Sequence, residues 1–495
     1  MKQPYLKKIF LLCLIIYPLF NFSQTVSDAL RYSFQHYGGS ARHVSMSGSF
    51  ESLGGDISTL GNNPGGIGVF RRSEFSLSTG VTNTKTISNF NGNKTGNNKL
   101  NFDLNHIGYL GTFKYSSSHD LRSIHIGLNY NKNTNFNRNT NIKENDSEFS
   151  ILDLVTTSLN NQQVPIDSML GQFSSYQFFS AQAYRAGLID TVNGNKRKYA
   201  SALGDSNIVN IDRTLKESGS IGEWQLSFGV DYKDILFIGM TFGFPSNKYD
   251  LNKKHQENIS STDSVEQLTF KEKISSEGSG SNFKVGFLFK PVYWLRIGGA
   301  YNSGTTFTQK EEYSTRFLSE FVSGNKKNSG LEFFKYKYKV KTPARYKASI
   351  STVFEQNGLI SYTAEFVNYQ KAKLKPKGDN VNQSFFENQN AIIDLVFENT
   401  WNHKVGVEWR MSPFKIRGGF SFFEAPVDND FSTYSMDRIT YSLGAGVKLG
   451  KYYIDLAMSL TRWNRKNYLF GTLQDLKVKT TTSRFRTLLT GGVKF

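Results

Sequence analysis

The chain has 495 residues, a net charge of +18 and one cysteine, Cys13. Hydrophobic residues make up 38% and the mean hydropathy is −0.43, which excludes a bundle of membrane-spanning helices, and the cysteine count excludes a disulfide scaffold. It does not exclude a membrane barrel, where only alternate residues need be apolar, and the 41 Phe and 25 Tyr would suit the outer face and interfacial girdles of one.

Residues 1–23 read as a secretory signal peptide. Lys2, Lys7 and Lys8 precede an apolar stretch from Ile9 to Phe22, with Ser23 at the expected cut. The stretch is short for a transmembrane helix. Cys13 lies inside it rather than at its end, so lipidation is not expected.

Residues 24–70 have another texture. Gly38, Gly39, Gly48, Gly54, Gly55, Gly61, Gly65, Gly66 and Gly68 alternate with small serines, and apolar residues fall at no regular period. Glycine permits tight turns and close packing, so this segment is expected to fold inward and plug a barrel. Pro64 fixes its own φ and holds Asn63 extended, making Asn63, Pro64 and Gly65 the expected turn of the plug. Phe50, Leu53, Leu60 and Ile67 are candidates to line a ligand path, and equally suit the plug's own core.

From residue 71 onward the chain alternates in period two. Trp224, Leu226, Phe228, Val230 and Tyr232 alternate with Gln225, Ser227, Gly229 and Asp231. Phe283, Val285, Phe287 and Phe289 alternate with Lys284 and Gly286, and Val405, Val407 and Trp409 with Lys404 and Glu408. An aromatic-rich face on nearly every strand fits a wall against lipid. Fourteen strands are expected, at about 71–84, 104–116, 121–135, 221–232, 235–248, 266–290, 294–303, 334–354, 359–371, 400–411, 414–424, 437–449, 451–463 and 482–495, with one or two of the longer ones split. Short turns such as Lys233-Asp234 and Ser412-Pro413 alternate with long loops, the pattern of periplasmic and extracellular ends. The longest loop, about 136–220, holds helical spacing in Ile151, Leu152, Val155 and Leu159 and around Phe173; it is expected to be a lid or a ligand groove. The last strand ends in an aromatic, Phe495, with Val493, Leu489 and Phe485 on its face.

These readings give an all-β fold: a transmembrane antiparallel β-barrel of about fourteen strands over 71–495, with an N-terminal hatch over 24–70. The stretch from Ser47 to Asp56 and Asn62-Asn63-Pro64-Gly65-Gly66-Ile67-Gly68 resembles the hatch of the FadL/TodX-type outer-membrane transporters for long-chain fatty acids and other hydrophobic compounds. Lys290-Pro291-Val292-Tyr293-Trp294, Thr342-Pro343 and Glu424-Ala425-Pro426-Val427 are similar to later parts of that family. Gly65 stands where the family usually has alanine. The resemblance implies passive transport of hydrophobic small molecules across the bacterial outer membrane. Capture in the extracellular loops would be followed by hatch-gated lateral release through a gap near the third strand. It also implies that Phe495 is a sorting signal for the barrel-assembly machinery. Outer-membrane lipid and lipopolysaccharide are the other expected partners, and nucleic acid is not expected.

No Walker loop, HExxH or nucleophile elbow is present, so no enzyme, metal or cofactor is expected. His36 and His43 leave a haem-binding receptor as an alternative, together with a loop-rich surface adhesin on a closed barrel. Asp428, Asp430 and Asp437 only faintly suggest a calcium loop, since an EF-hand glycine is missing.

Overall fold

Fourteen antiparallel strands close into a barrel. They are β1 (Glu74–Phe90), β2 (Asn93–Lys114), β3 (Leu121–Asn135), β4 (Val209–Tyr232), β5 (Leu236–Ile259), β6 (Val265–Val292) and β7 (Leu295–Asn302). The circuit continues with β8 (Arg345–Phe354), β9 (Gly358–Asn368), β10 (Asn399–Met411), β11 (Phe414–Phe423), β12 (Arg438–Leu449), β13 (Tyr452–Tyr468) and β14 (Lys477–Lys494). Each pairs with its sequence neighbour, and β1 closes on β14 from Glu74↔Lys494 to Asn89↔Lys479. The computed structural model describes residues 26–495 apart from 36–37, 117–118, 172–173, 175, 205–207, 261–263, 356, 379–382, 428–436 and 470–476. The expected signal peptide, His36, Phe173, Asp428 and Asp430 lie outside the described residues. Among the described residues no helix is long and apolar enough to cross a membrane.

The alternation read from the sequence is the alternation of the wall. On β1, Phe75, Leu77 and Val81 face outward and exposed, while Ser76, Ser78 and Thr82 are buried toward the lumen. Ring contacts pass strand to strand around the outer end of this apolar belt, from Phe283 to Tyr301 (5.9 Å), Tyr346 (5.2 Å), Phe366 (6.4 Å) and Trp401 (5.1 Å). Such a girdle marks the bilayer interface.

Several strands continue far beyond it, β4, β5 and β6 unbroken and three others after an interruption. After a break at Phe136-Asn137, residues Arg138–Ser147 carry the line of β3 onward and pair with β4. Thr306–Phe321 continues β7 along β6, and Glu332–Lys341 leads down into β8 across Thr342–Ala344. The segment expected as a loop over 136–220 therefore starts and ends as strand. The expected strand 334–354 is split at Thr342-Pro343, where proline has no N–H to give the ladder. Between the extensions lie α-helices Ile151–Asn161, Ile166–Leu170 and Ser180–Arg185. They bury Leu152, Val155, Leu159 and Met169 against Phe270 and Phe317 on the inner face of the extended strands, so the loop helices cap the outer mouth.

The described residues of the segment 26–70 fill the lumen. The helix Val26–Ser33 packs at the outer end against Phe307, Tyr338, Val340 and Val367. A short helix, Ala41–Ser45, and 3₁₀ turns Ile57–Gly61 and Pro64–Val69 descend to Arg71, which pairs with Asp231 at 2.6 Å near the opposite rim.

Candidate functional site

The hatch is held to the wall by buried ion pairs and hydroxyls. Arg42 donates to Glu408 (2.9 Å), which also accepts from Arg417 (2.8 Å), and Arg417 reaches Asp455 (2.6 Å). Glu51 lies 3.5 Å from Lys404 and 3.8 Å from Lys347. Ser47, Ser49 and Ser52 meet Ser442, Ser361 and Ser349 at 2.6, 3.1 and 2.7 Å. These contacts come from β8, β9, β10 and β12. On other sides Asn131 of β3 donates to the Ser58 carbonyl (2.8 Å), Thr241 of β5 donates to the Leu60 carbonyl (3.0 Å) and Thr490 of β14 accepts from the Ala41 N–H (2.7 Å), so the hatch is held on most sides rather than at one edge.

At the expected turn, hatch and wall approach backbone to backbone. The Asn63 side chain accepts from the Gly65 N–H (2.9 Å) and donates to the Phe287 carbonyl of β6 (3.0 Å). A Cβ on Gly65 would stand 2.6 Å from the Phe287 backbone, and one on Gly239 2.2 Å from the Pro64 carbonyl. Backbone touches backbone from both sides, which only glycine allows. Phe50 and Leu53 are buried with Met46, Val353 and Leu359; Leu60 and Ile67 are buried with Ile57, Phe70 and Leu110. The structure thus places the four candidate path residues in two separate hatch–wall clusters.

His43 is buried in the hatch. Its Nδ1 is 2.9 Å from the Gly38 carbonyl and its Nε2 3.2 Å from Asn62 Nδ2, so both ring nitrogens are engaged. Burial lowers its pKa against the opposing pull of Asp56 and Glu51. Burial alone would raise the Glu51 and Asp56 carboxyls, but Lys404 and Lys347 on the one, and Arg42 on the other, hold both below their usual range. Among the described residues no cluster of metal-ligating side chains occurs.

The second feature, which no single strand's pattern displays, is a seam in the wall. The β2–β3 ladder runs from Lys114↔Ser123 to His106↔Asn131 and stops. Above that point β2 pairs only with β1, as far as Phe90↔Asn93, and β3 only with β4. Bulges at Asn105 and Asn133 turn the two strands apart. Side chains alone bridge the seam. Asp103 accepts from Lys132 (2.5 Å) and Asn135 (2.8 Å), Lys99 donates to the Glu217 carbonyl (3.0 Å), and Asn93 donates to Glu144 (3.0 Å). Leu100, Phe102 and Leu104 stand on its outer side at 69%, 73% and 44% exposure.

Behind the seam, in the lumen, lie two cavities of about 60 and 120 Å³ that share Asn135, Arg438 and Arg484. Arg486 and Lys132 line the first; Arg31, Arg138 and Arg465 line the second beside Phe34, Phe136 and Trp463. The Arg438 guanidinium sits 4.0 Å over Phe34 and 5.4 Å from Trp463, and Arg484 is 5.2 Å from the same indole. Asp103 and Glu217 are the acids of this corner. It offers cations and aromatic faces side by side behind the seam.

A family model for outer membrane protein transport proteins (OMPP1/FadL/TodX) matches residues 222–483, more than half of the chain. Among solved structures, the chain is similar to a FadL homologue of Pseudomonas aeruginosa, with a TM-score of 0.57 and 12% identity over 94% of this chain and 100% of that one. It is similar to the toluene transporter TodX of P. putida, with a TM-score of 0.51 and 11% identity over 93% of this chain and 99% of that one. The toluene transporter TbuX of Ralstonia pickettii gives a TM-score of 0.51 and 12% identity over 94% and 100%. At these identities the likeness is one of fold. No curated protein matches the chain. The matched family, the closed fourteen-stranded wall and the filled lumen agree, and the chain belongs to the OMPP1/FadL/TodX family of outer-membrane barrels, passive channels for hydrophobic compounds rather than enzymes.

Proposed function

We propose that the chain carries long-chain fatty acids, or amphiphiles of the same chemistry, past the hatch and out sideways through the β2–β3 seam. The observation that carries this reading is the arginine–aromatic corner behind the seam. A neutral hydrocarbon has no use for Arg438, Arg484 and Arg486, whereas a carboxylate headgroup pairs with guanidinium while its chain lies on Phe34, Phe136 and Trp463. A seam bridged by side chains parts at lower cost than a ladder of backbone hydrogen bonds. A side exit also delivers an apolar chain to lipid rather than to water.

In this reading the loop helices capture ligand, and the hatch turn at Asn63, Pro64 and Gly65 stays against the wall. Phe50, Leu53, Leu60 and Ile67 seal hatch to wall and meet ligand only where that seal loosens. Phe495, 61% exposed at the closing edge of the barrel, serves as the sorting signal for assembly.

The test is uptake of labelled oleate against methyl oleate by cells carrying the wild type or Arg484→Gln. Oleate uptake should fall about tenfold, the scale of one lost charge-assisted hydrogen bond, while methyl oleate uptake holds. An equal change for both ligands, or no change for oleate, would remove the carboxylate from the account.

A further inference from the structure

The strands that extend past the aromatic girdle present an outward face unlike the belt below it. On Glu332–Lys341, Tyr336, Tyr338 and Val340 turn inward while Lys335, Lys337, Lys339 and Lys341 turn outward. The pairing carries this basic face across the neighbouring strands. Lys337 stands opposite Lys310, Lys310 opposite Glu277, and Glu277 opposite Lys248. Further out along the same strands, Arg316 stands opposite Lys271 and Lys271 opposite Lys254. Glu277, Glu312 and Asp250 are the acids set among them, and Lys335 is paired to Glu312 at 2.5 Å. The same wall holds a hollow of about 580 Å³ lined by Lys216, Lys253, Lys254, Lys271, Lys273 and Arg316, with Phe333 at its edge. Its two acids, Glu272 and Glu312, are paired to Lys253 (3.0 Å) and Lys335, and the other cations outnumber them.

The height of this face decides what can cover it. At ~3.3 Å per residue and a strand tilt of ~40°, it lies roughly 10 to 30 Å above the girdle marked by Phe283, Tyr301 and Tyr346. That is too high for acyl chains, and it continues the lipid-facing surface on the same strands without a step. Whatever lies against the belt therefore offers its headgroup to the lysines. In the outer leaflet of an outer membrane that headgroup is a phosphorylated, acidic saccharide.

We propose that this outward face is a docking surface for the phosphorylated core of lipopolysaccharide, with the hollow between Lys216, Lys254, Lys271, Lys273 and Arg316 seating its phosphates. Lysine suits this role: a mobile point charge on a long stem follows a flexible sugar chain without a fixed fork geometry. Phe333, 48% exposed, offers a flat apolar surface to a sugar ring. The inference is independent of what the channel transports.

The test uses the full-length protein in detergent and purified rough-form lipopolysaccharide, which retains lipid A and core. Wild type should bind with an affinity that falls steeply with salt. The variant Lys216→Gln/Lys254→Gln/Lys273→Gln should bind at least tenfold more weakly, and hydrofluoric-acid-dephosphorylated glycolipid should lose binding to the same degree. Because these lysines point outward, the variant should keep the wild-type heat-modifiable gel mobility. A control variant at exposed lysines elsewhere, Lys85→Gln/Lys94→Gln, should bind like wild type. The proposal is overturned if the triple variant binds as wild type, if dephosphorylation changes nothing, or if phosphatidylglycerol dispersed in the same detergent binds as tightly as the glycolipid.

Discussion

Glu408 shows how much of the hatch's seating rests on single side chains. It is shared by Arg42 of the hatch and Arg417 of the wall, and its side chain is fully buried. Replacing Glu408 with Ala leaves two buried guanidinium groups facing one another without their shared anion. Breaking a buried pair from one side costs about 3–5 kcal/mol, and the midpoint of heat-modifiable gel mobility should drop accordingly; an unmoved midpoint would mean that the pair does not hold the hatch. The hatch should also loosen on the acid side. His43 has a folded pKa below its ordinary value, so the released hatch takes up a proton first, and seating stability is lost as pH falls below about 6.5. Glu51 and Asp56 have lowered folded values, so their contribution is full above about pH 4.5 and fades further into acid. Conductance in planar bilayers should therefore be lowest above pH 6.5 and begin to rise below it, and His43→Gln should shift the onset into the carboxylate range. A flat profile down to pH 3 would contradict this.

At the scale of elements, the outer mouth is built by strands and helices that stabilise one another. The helix Ile151–Asn161 is capped by Ser150, whose side chain accepts from the Leu152 N–H (3.1 Å) while Asp153 accepts from the Ser150 N–H (2.7 Å). Ser150 also donates to Glu257 on β5, which accepts from the Ile151 N–H (2.8 Å) as well. Ser150→Ala removes the cap and one partner of a buried carboxylate, at about 1–2 kcal/mol. Limited proteolysis within residues 151–185 should quicken several-fold in that variant, with the barrel itself left resistant. Equal cleavage rates would show that the cap does not anchor the lid. The helix was legible in the spacing of Ile151, Leu152, Val155 and Leu159. The strands on either side of it were not: Arg138–Ser147 is polar on both faces apart from Ile142, and on Val209–Glu217 the apolar face of Val209, Ile211 and Leu215 is broken by Arg213 and Glu217, so the two gain their shape from pairing with each other. The lipid-facing strands were legible because one face must be apolar, which fixes period two in the sequence. The seam left no such trace: Asp103 and Lys132 look like any lumen-facing polar residues, and only the register shows that the ladder between their strands has ended. Arg438 and Arg484 likewise sit on ordinary inward positions of β12 and β14, and the register of both strands on β13, around Trp463, brings them together.

Over the whole molecule, the hatch runs the height of the lumen, from Val26–Ser33 at the outer mouth to Arg71 near the opposite rim, and is tied to the wall on most sides. A straight aqueous exit would require all of those ties to break. The side exit requires that the side-chain bridges of the seam part: Lys132 and Asn135 from Asp103, Lys99 from the Glu217 carbonyl, Asn91 and Asn93 from Glu144, and Thr95 from the Asn141 carbonyl. The two routes separate cleanly in one variant, Asp103→Cys/Asn135→Cys, because the mature chain is expected to hold no other thiol. These side chains are within hydrogen-bonding distance across the seam, at 2.8 Å. Cross-linking them with a short thiol-specific reagent should stop oleate uptake in cells, and reduction should restore it, with hatch and loops untouched throughout. Oleate uptake that continues at the uncross-linked rate with the seam closed would contradict lateral release and return the path to the lumen.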